Sequence, residues 1–243
     1  MILNQDAAMP LYLQLKHEIK HEIESQKYSV NEKIPTEQQF SEQYKISRIT
    51  VRKALAELVE EGYLIKIQGK GTFVKKRKIE RKIDFFMSFS ESCEANGMVP
   101  TTYVTKRKIL QPTSELYETL QLEPKDQVLY IQRIRCADGQ PLMCENNYYS
   151  FSKFSFLMTE NLDGSLYELL DKKYGIHVTY SKDSYLESAR ANSKMAKLMH
   201  IGKNDPMFFM YTKVFDANDK IVHIGKQYIL GDRYRFYLTD YKN

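Results

Sequence analysis

Arg48 and Arg52 lie four residues apart in the stretch SRITVRKALAELVEEG, residues 47–62. On a helix they project along one flank, with Thr50 and Lys53 on the remaining exposed arc. A guanidinium presents two donors that match guanine O6 and N7, and a DNA major groove admits one α-helix carrying such donors near its N-terminus. The chemistry open to this pair is base reading, with Thr50 able to contact phosphate or base. Ser47 and Thr36 each head a helix, where a hydroxyl and free N–H groups suit phosphate oxygens. Gly69 and Gly71 flank Lys70 in a short turn. Backbone without side chains can press into a minor groove there, with the lysine adding charge.

A second constellation lies further along. Arg133 and Arg135 share strand parity and so point to one face, where two guanidiniums can grip an anion through forked hydrogen bonds. Ser165 opens SLYELLDKKYG and would add a hydroxyl, free N–H groups and the positive end of a helix dipole. Glu145, on the partner strand, could accept bonds from sugar hydroxyls. A three-residue Asp138-Gly139-Gln140 loop sets Arg133 opposite Glu145; a two-residue loop sets it opposite Cys144. The first register is expected. The alternative use of these charges is an Arg–Glu ion pair on a solvated sheet face.

One pattern misleads. His17-Glu18-Ile19-Lys20-His21 fits the zinc-protease sequence H-E-x-x-H. At about 100° per helical residue, both histidines point away from the stripe of Leu15, Ile19 and Ile23. A catalytic zinc needs a closed cleft and a third ligand. No metal and no cofactor is expected.

The elements that must position these groups follow from periodicity. Leu11, Leu15, Ile19 and Ile23 recur every four residues after Pro10, predicting an amphipathic helix to about Ser25. Thr36-Glu-Gln-Gln39 is a capping-box pattern that starts a short helix to about Tyr44. Ser47 caps a third, whose Val51, Ala54, Leu55 and Leu58 pack inward and whose exit is Gly62. Two short strands around Gly69–Gly71 complete a helix, helix, helix, wing layout. The run Lys75-Lys76-Arg77-Lys78 reads as a linker. Thereafter strands dominate: one hairpin turns at Asp138-Gly139, another at 216–220, and residues 178–190 are extended. Short helices begin at Ser165, another capping box with Glu168, and at Ser193. Hairpins imply antiparallel pairing, so the fold class is α+β.

Composition agrees. At 243 residues, 42% hydrophobic and 28% charged, the chain is long enough for two domains and too apolar for wholesale disorder. No apolar run approaches a membrane span, and the start lacks a signal peptide's pattern. Three cysteines without a C-x-x-C pair suit a reducing, cytoplasmic setting. Residues 44–78 hold ten basic against three acidic side chains, a surplus of seven that exceeds the whole chain's net charge of +5. That concentration is what phosphate contact requires.

With these residues in hand, a resemblance stands out. MPLYLQLKHEI, KIPTEQQFSEQYKISRITVRKALAELVEEGYL and GKGTFV resemble the winged helix-turn-helix DNA-binding domain of GntR-type bacterial transcription regulators, over residues 9–74. The resemblance implies operator contacts from Arg48, Arg52 and Gly69. Where that family often has arginine, this chain has Gln38, a neutral contact. Residues of about 80–240 are similar to the UTRA effector domain of the HutC branch, with a chorismate lyase-like fold. The similarity rests on RIRCADGQPLMCENNYY, GSLYELL, IGKNDPMF and GDRYRF. It implies a pocket, often for a phosphorylated sugar, on which Ser88, Phe89 and Ser90 close and which Tyr167 and Tyr228 line. His223 stands where sugar-binding relatives often carry glutamate.

The expectation is therefore a cytoplasmic, homodimeric transcription regulator rather than an enzyme. Residues 1–74 would bind operator DNA through Thr36, Gln38, Ser47, Arg48, Thr50, Arg52, Gly69 and Lys70; 75–84 would be a linker. Residues 85–243 would dimerise and bind an anionic effector that releases a repressor from its operator. Two other readings predict different behaviour: a lyase-like enzyme would turn its ligand over, and a ligand-independent DNA binder would not be stabilised by any metabolite.

Overall fold

Pro10, which cannot continue a strand ladder or a preceding helix, stands immediately before α1 (Leu11–Glu24), whose Leu15 and Ile19 are fully buried. Thr36 heads α2 (Glu37–Tyr44) with both halves of the capping box made: its Oγ accepts from Gln39 N at 3.3 Å, and Gln39 Oε1 accepts from Thr36 N at 2.8 Å. Lys45 ends α2 in the left-handed region, and Ser47 caps α3 (Arg48–Glu60) by accepting from Thr50 N. Val51, Ala54, Leu55 and Leu58 of α3 join Leu15, Ile19 and Phe40 in one core. Gly62 takes φ +77 after α3, and β1 (Leu64–Ile67) then pairs antiparallel with β2 (Gly71–Val74). This is the expected winged helix-turn-helix.

The computed structural model describes residues 3–4, 7–25, 27–75, 77–83 and 86–238, and the chain divides into two units, Met1–Arg77 and Lys78–Asn243. Residues 1, 2, 5, 6 and 26 of the expected DNA-binding domain lie outside the described residues. So do Lys76 and Asp84 of the expected linker, and Phe85 and 239–243 of the expected effector domain.

The second unit runs β3 (Ile79–Lys82), α4 (Phe89–Ala95), β4 (Pro100–Leu110), α5 (Ser114–Thr119), β5 (Val128–Ala137), β6 (Gln140–Ser150), α6 (Phe151–Phe154), α7 (Leu166–Tyr174), β7 (Val178–Arg190), α8 (Ser193–Met199), β8 (Pro206–Asp216), β9 (Ile221–Leu230) and β10 (Tyr234–Tyr237). Six strands form an antiparallel sheet in the order β4-β5-β6-β9-β8-β7. Strand alternation divides its faces. Ile134, Cys136, Cys144 and Leu230 pack with Ala196 and Met199 of α8 on one side. Leu129, Ile131 and Tyr149 pack with Leu166 and Leu170 of α7 on the other, the face that also carries Arg133 and Arg135.

Three local expectations change. Ile79–Lys82, within the linker expected over 75–84, is instead a strand paired in parallel with β10; Ile79 is fully buried there and its N–H donates to Arg233 O at 2.9 Å. The β5–β6 turn is the two-residue Asp138-Gly139, both residues at positive φ, yet Arg133 does stand opposite Glu145. A bulge reconciles the two: Cys136 pairs with Pro141 and Arg135 with Met143, so Leu142 is the extra residue that shifts the register by one. The capping box at α7 is half made, because Ser165 Oγ accepts from Glu168 N while the Glu168 carboxylate pairs with Lys172.

Candidate functional site

In the first unit, Arg48, Arg52, Gln38, Thr36 and Ser47 are all exposed, and Thr50 is half-buried. Ser47 Oγ both caps α3 and lies 2.8 Å from Thr50 Oγ1. Gln38 Nε2 donates to Glu42 Oε1 at 3.0 Å. Arg52 donates through Nε and Nη2 to Glu37 Oε2 at 3.1 and 2.9 Å, which holds the Glu37 carboxyl below its usual range. The pair does not bury the arginine: its side chain remains 62% exposed, able to exchange one acceptor for another. Gly69 (φ +74) and Lys70 occupy the exposed turn between β1 and β2, the wing tip. His17 and His21 are exposed on α1, away from its buried stripe.

Sequence reasoning passed over Ile49. It sits on the first turn of α3 beside both arginines and is 78% exposed, the most exposed large hydrophobic side chain among the described residues. Its signal was its mismatch with the inward arc of Val51, Ala54 and Leu58. An apolar group at that place matches the thymine methyl in a major groove.

In the second unit, Arg133 and Arg135 are 1% and 3% exposed. Glu145 Oε2 accepts from Arg133 Nε at 2.8 Å, lies 2.6 Å from its Nη2, and accepts from Arg135 Nη1 at 3.4 Å. Arg133 Nη1 also donates to the carbonyls of Leu162 and Gly164, ahead of α7. Arg133 is thus committed to its own chain, as an ion pair that is sealed rather than solvated. Arg135 is less committed. Its Nη2 donates to Ser90 Oγ at 3.1 Å and its guanidinium lies 4.8 Å from the Phe89 ring centre, but its Nε is buried with no hydrogen-bond partner. Burial, helped by the neighbouring Arg133 charge, pulls Arg135 down to about 10. Burial works against the Glu145 carboxylate too, yet the two arginines outweigh it and hold its pKa well below the usual value.

A cavity of about 50 Å³ opens at this cluster, lined by Arg81, Phe89, Arg135, Glu145, Tyr167 and Gln227 among others. Tyr167 also lines a larger cleft of about 710 Å³ with Ser90, Ser165, Asp163, Glu168 and Asp171. Ser88 caps α4 with a full capping box, and Ser90 and Phe89 are buried. His223 is fully buried, its Nε2 3.1 Å from Tyr167 Oη, and burial pulls it down to about 4, so it is neutral at pH 7. The resemblance brought Tyr228 to the pocket; the structure does not. Tyr228 pairs with Cys144, turns its ring to Phe209, and packs on the opposite face with the α8 cluster. Its neighbour Gln227, paired with Glu145, faces the pocket instead, as strand alternation requires. Arg81 was also missed, since its stretch reads as linker.

A winged helix-turn-helix joined to an antiparallel domain with an arginine-lined pocket defines a DNA-binding regulator that senses a small molecule. Residues 11–74 match the family described as bacterial regulatory proteins, gntR family, and residues 95–235 match the UTRA domain. The chain belongs to the GntR family of transcription regulators, with a UTRA effector-binding domain; its relatives regulate genes and are not enzymes. It is 35% identical over 223 residues to the "Uncharacterized HTH-type transcriptional regulator YurK" of Bacillus subtilis (strain 168), covering 91% of this chain and 92% of that one. It is 29% identical over 236 residues to the "HTH-type transcriptional repressor NagR" of the same organism, covering 97% of each. The crystal structure of PhnF from Mycobacterium smegmatis shares the fold, with TM-score 0.68 and 22% identity over 94% of this chain and 99% of that one.

Proposed function

We propose that this regulator is a homodimeric repressor of the cytoplasm, which leaves its operator when a phosphorylated sugar enters the UTRA pocket. In this reading α3 lies in the major groove. Arg48 and Arg52 read guanines, Ile49 meets a thymine methyl, and Thr36, Gln38, Ser47 and Thr50 touch phosphates or bases. Gly69 and Lys70 approach the minor groove. A dimer would place two such helices on a two-fold site one helical turn apart.

The observation that carries the effector class is the unpartnered Arg135 Nε at a cavity lined by three guanidiniums and one carboxylate. The surplus of positive charge matches a phosphate monoester near its dianionic state, and a charged acceptor would satisfy the buried donor. The adjoining cleft, walled by Asp163, Glu168 and Asp171 with Ser165, offers acceptors to sugar hydroxyls and repels a second anion. Ser88, Phe89, Ser90, Tyr167 and His223 would close around the ligand, while Arg133 and Glu145 hold Arg135 in place.

Thermal unfolding of the full chain with glucose 6-phosphate, glucosamine 6-phosphate and inorganic phosphate tests the reading. A ligand at a hundred times its Kd stabilises by about 2.7 kcal/mol. At least one sugar phosphate should raise the midpoint, and Arg135→Met should abolish the rise. No rise with any of them, or the same rise in the variant, would remove the anion pocket.

A further inference from the structure

The strand β3 follows directly on the linker: Lys78, the last residue of the basic run, precedes Ile79. β3 is anchored at one end of its length by buried Ile79, and it pairs with β10 from the closing GDRYRF segment, Arg81 standing opposite Phe236. Arg81 itself turns into the cavity that Arg133, Arg135 and Glu145 line. Its Nη2 donates to the carbonyl of Met87 at 3.0 Å, so it also tethers the segment that leads into Ser88, Phe89 and Ser90. Burial pulls the Arg81 guanidinium below its ordinary range, with the positive site partly relieved by Glu91 and two tyrosines. Three guanidiniums thus converge on one cavity from two sources. Two are fixed to the main sheet, and one rides on the strand that emerges from the linker.

We propose that Arg81 is the coupling residue, which converts anion binding at Arg135 into a displacement of β3 and hence of the linker to the DNA-binding unit. The proposal rests on the reading of the pocket as an anion site. Its physical basis is an exchange of acceptors. The Met87 carbonyl is a neutral acceptor, whereas a phosphate is an ionised one, and hydrogen bonds to ionised acceptors are shorter and stronger. A phosphate held by Arg135 and Ser90 therefore competes for the Arg81 guanidinium. Taking it releases the 86–90 segment from β3 and draws the strand towards the sheet. A ligand shifts an equilibrium only by what it binds differently in the two states, and this exchanged contact is such a difference. Arg135 and Ser90 supply affinity in either state; Arg81 supplies the difference.

The test separates affinity from coupling. Full-length parent, Arg81→Met, Arg81→Lys and Arg135→Met would be titrated with the sugar phosphate that stabilises the parent best among glucose 6-phosphate, fructose 6-phosphate and glucosamine 6-phosphate. Affinity for an operator duplex, enriched by the parent from a random pool, would be measured without the sugar phosphate and at saturation. Allosteric coupling of typical size weakens operator binding by about 5- to 150-fold. Arg81→Met should still saturate, with affinity for the sugar phosphate reduced by about tenfold, but its operator affinity should change by less than about twofold. Arg81→Lys keeps the charge and loses the fork, so its coupling should fall between the two, and it stands in should the methionine variant not fold. Arg135→Met should lose sugar phosphate binding itself. If Arg81→Met, once saturated, releases the operator as fully as the parent, the coupling role is wrong while the pocket stands. If the parent binds none of the three, the pocket reading falls and the coupling role with it.

Discussion

On α3 the guanidiniums of Arg48 and Arg52 stand in water four residues apart, while on β5 those of Arg133 and Arg135 stand two apart and nearly sealed. The same side chain is handled in opposite ways. Exposed arginines need little from the fold; the Glu37 carboxylate that touches Arg52 is one acceptor among many that water or a nucleic acid can replace. Buried arginines must be compensated where they lie, and Glu145 Oε2 takes bonds from both. A long polyanion can therefore dock on the first pair without unfolding anything. Only a small anion that satisfies buried donors can reach the second. Arginine spacing thus names the secondary structure, whereas solvation names the ligand.

That contrast can be broken most forcefully at Glu145. Glu145→Gln removes the only carboxylate among the described residues that line the cavity around Arg133 and Arg135, and leaving buried charge uncompensated costs about 3–5 kcal/mol. Chemical denaturation of the parent and variant should show that loss in the second unit; a change below about 1 kcal/mol would mean that the arginines are far wetter than their burial implies.

His223 gives the next largest effect. Unfolded, it takes up a proton near pH 6.5; folded, only near about 4, because burial disfavours the charged form. Between those values the unfolded chain binds more protons, so stability falls as pH drops from 6.5 to 4 and is unaffected above. The full shift corresponds to about 3 kcal/mol. Denaturation midpoints across that window should be flatter in His223→Gln than in the parent, until protonation of Glu145 takes over at lower pH. An unchanged slope would show that His223 is not the group responsible.

Ile49 sharpens the exposed side of the comparison. If it meets a thymine methyl, replacing that thymine by uracil in the selected duplex should weaken parent binding by about 1 kcal/mol and leave Ile49→Ala indifferent. Equal losses in both proteins would place Ile49 outside the groove.

Much of this was legible in the sequence, and the reasons are local. Caps at Thr36 and Ser47, the four-residue stripe of α1 and the Asp138-Gly139 turn are all decided by residues within a turn of one another, and each stands where its residue types require. What was not legible depends on distant partners. The extra residue Leu142 alters the register without any compositional mark, so the correct facing of Arg133 and Glu145 came with the wrong loop. β3 is four residues whose partner lies some 150 positions away, and its Arg81 and Lys82, following the basic run, disguise it as linker. Tyr228 and Gln227 differ only by strand parity, and a resemblance that carries positions across relatives does not fix which of two neighbours faces inward here.

Operator recognition by this chain turns on the exposed pair of α3. The decisive measurement compares binding of the enriched operator duplex with that of a scrambled duplex, for the parent and for the Arg48→Ala, Arg52→Ala double variant, at one salt concentration. Each arginine that forks onto a guanine contributes on the order of 10- to 100-fold discrimination. The variant should therefore bind both duplexes equally weakly while unfolding at the parent's midpoint. Undiminished preference for the operator in a folded variant would contradict the reading-helix assignment.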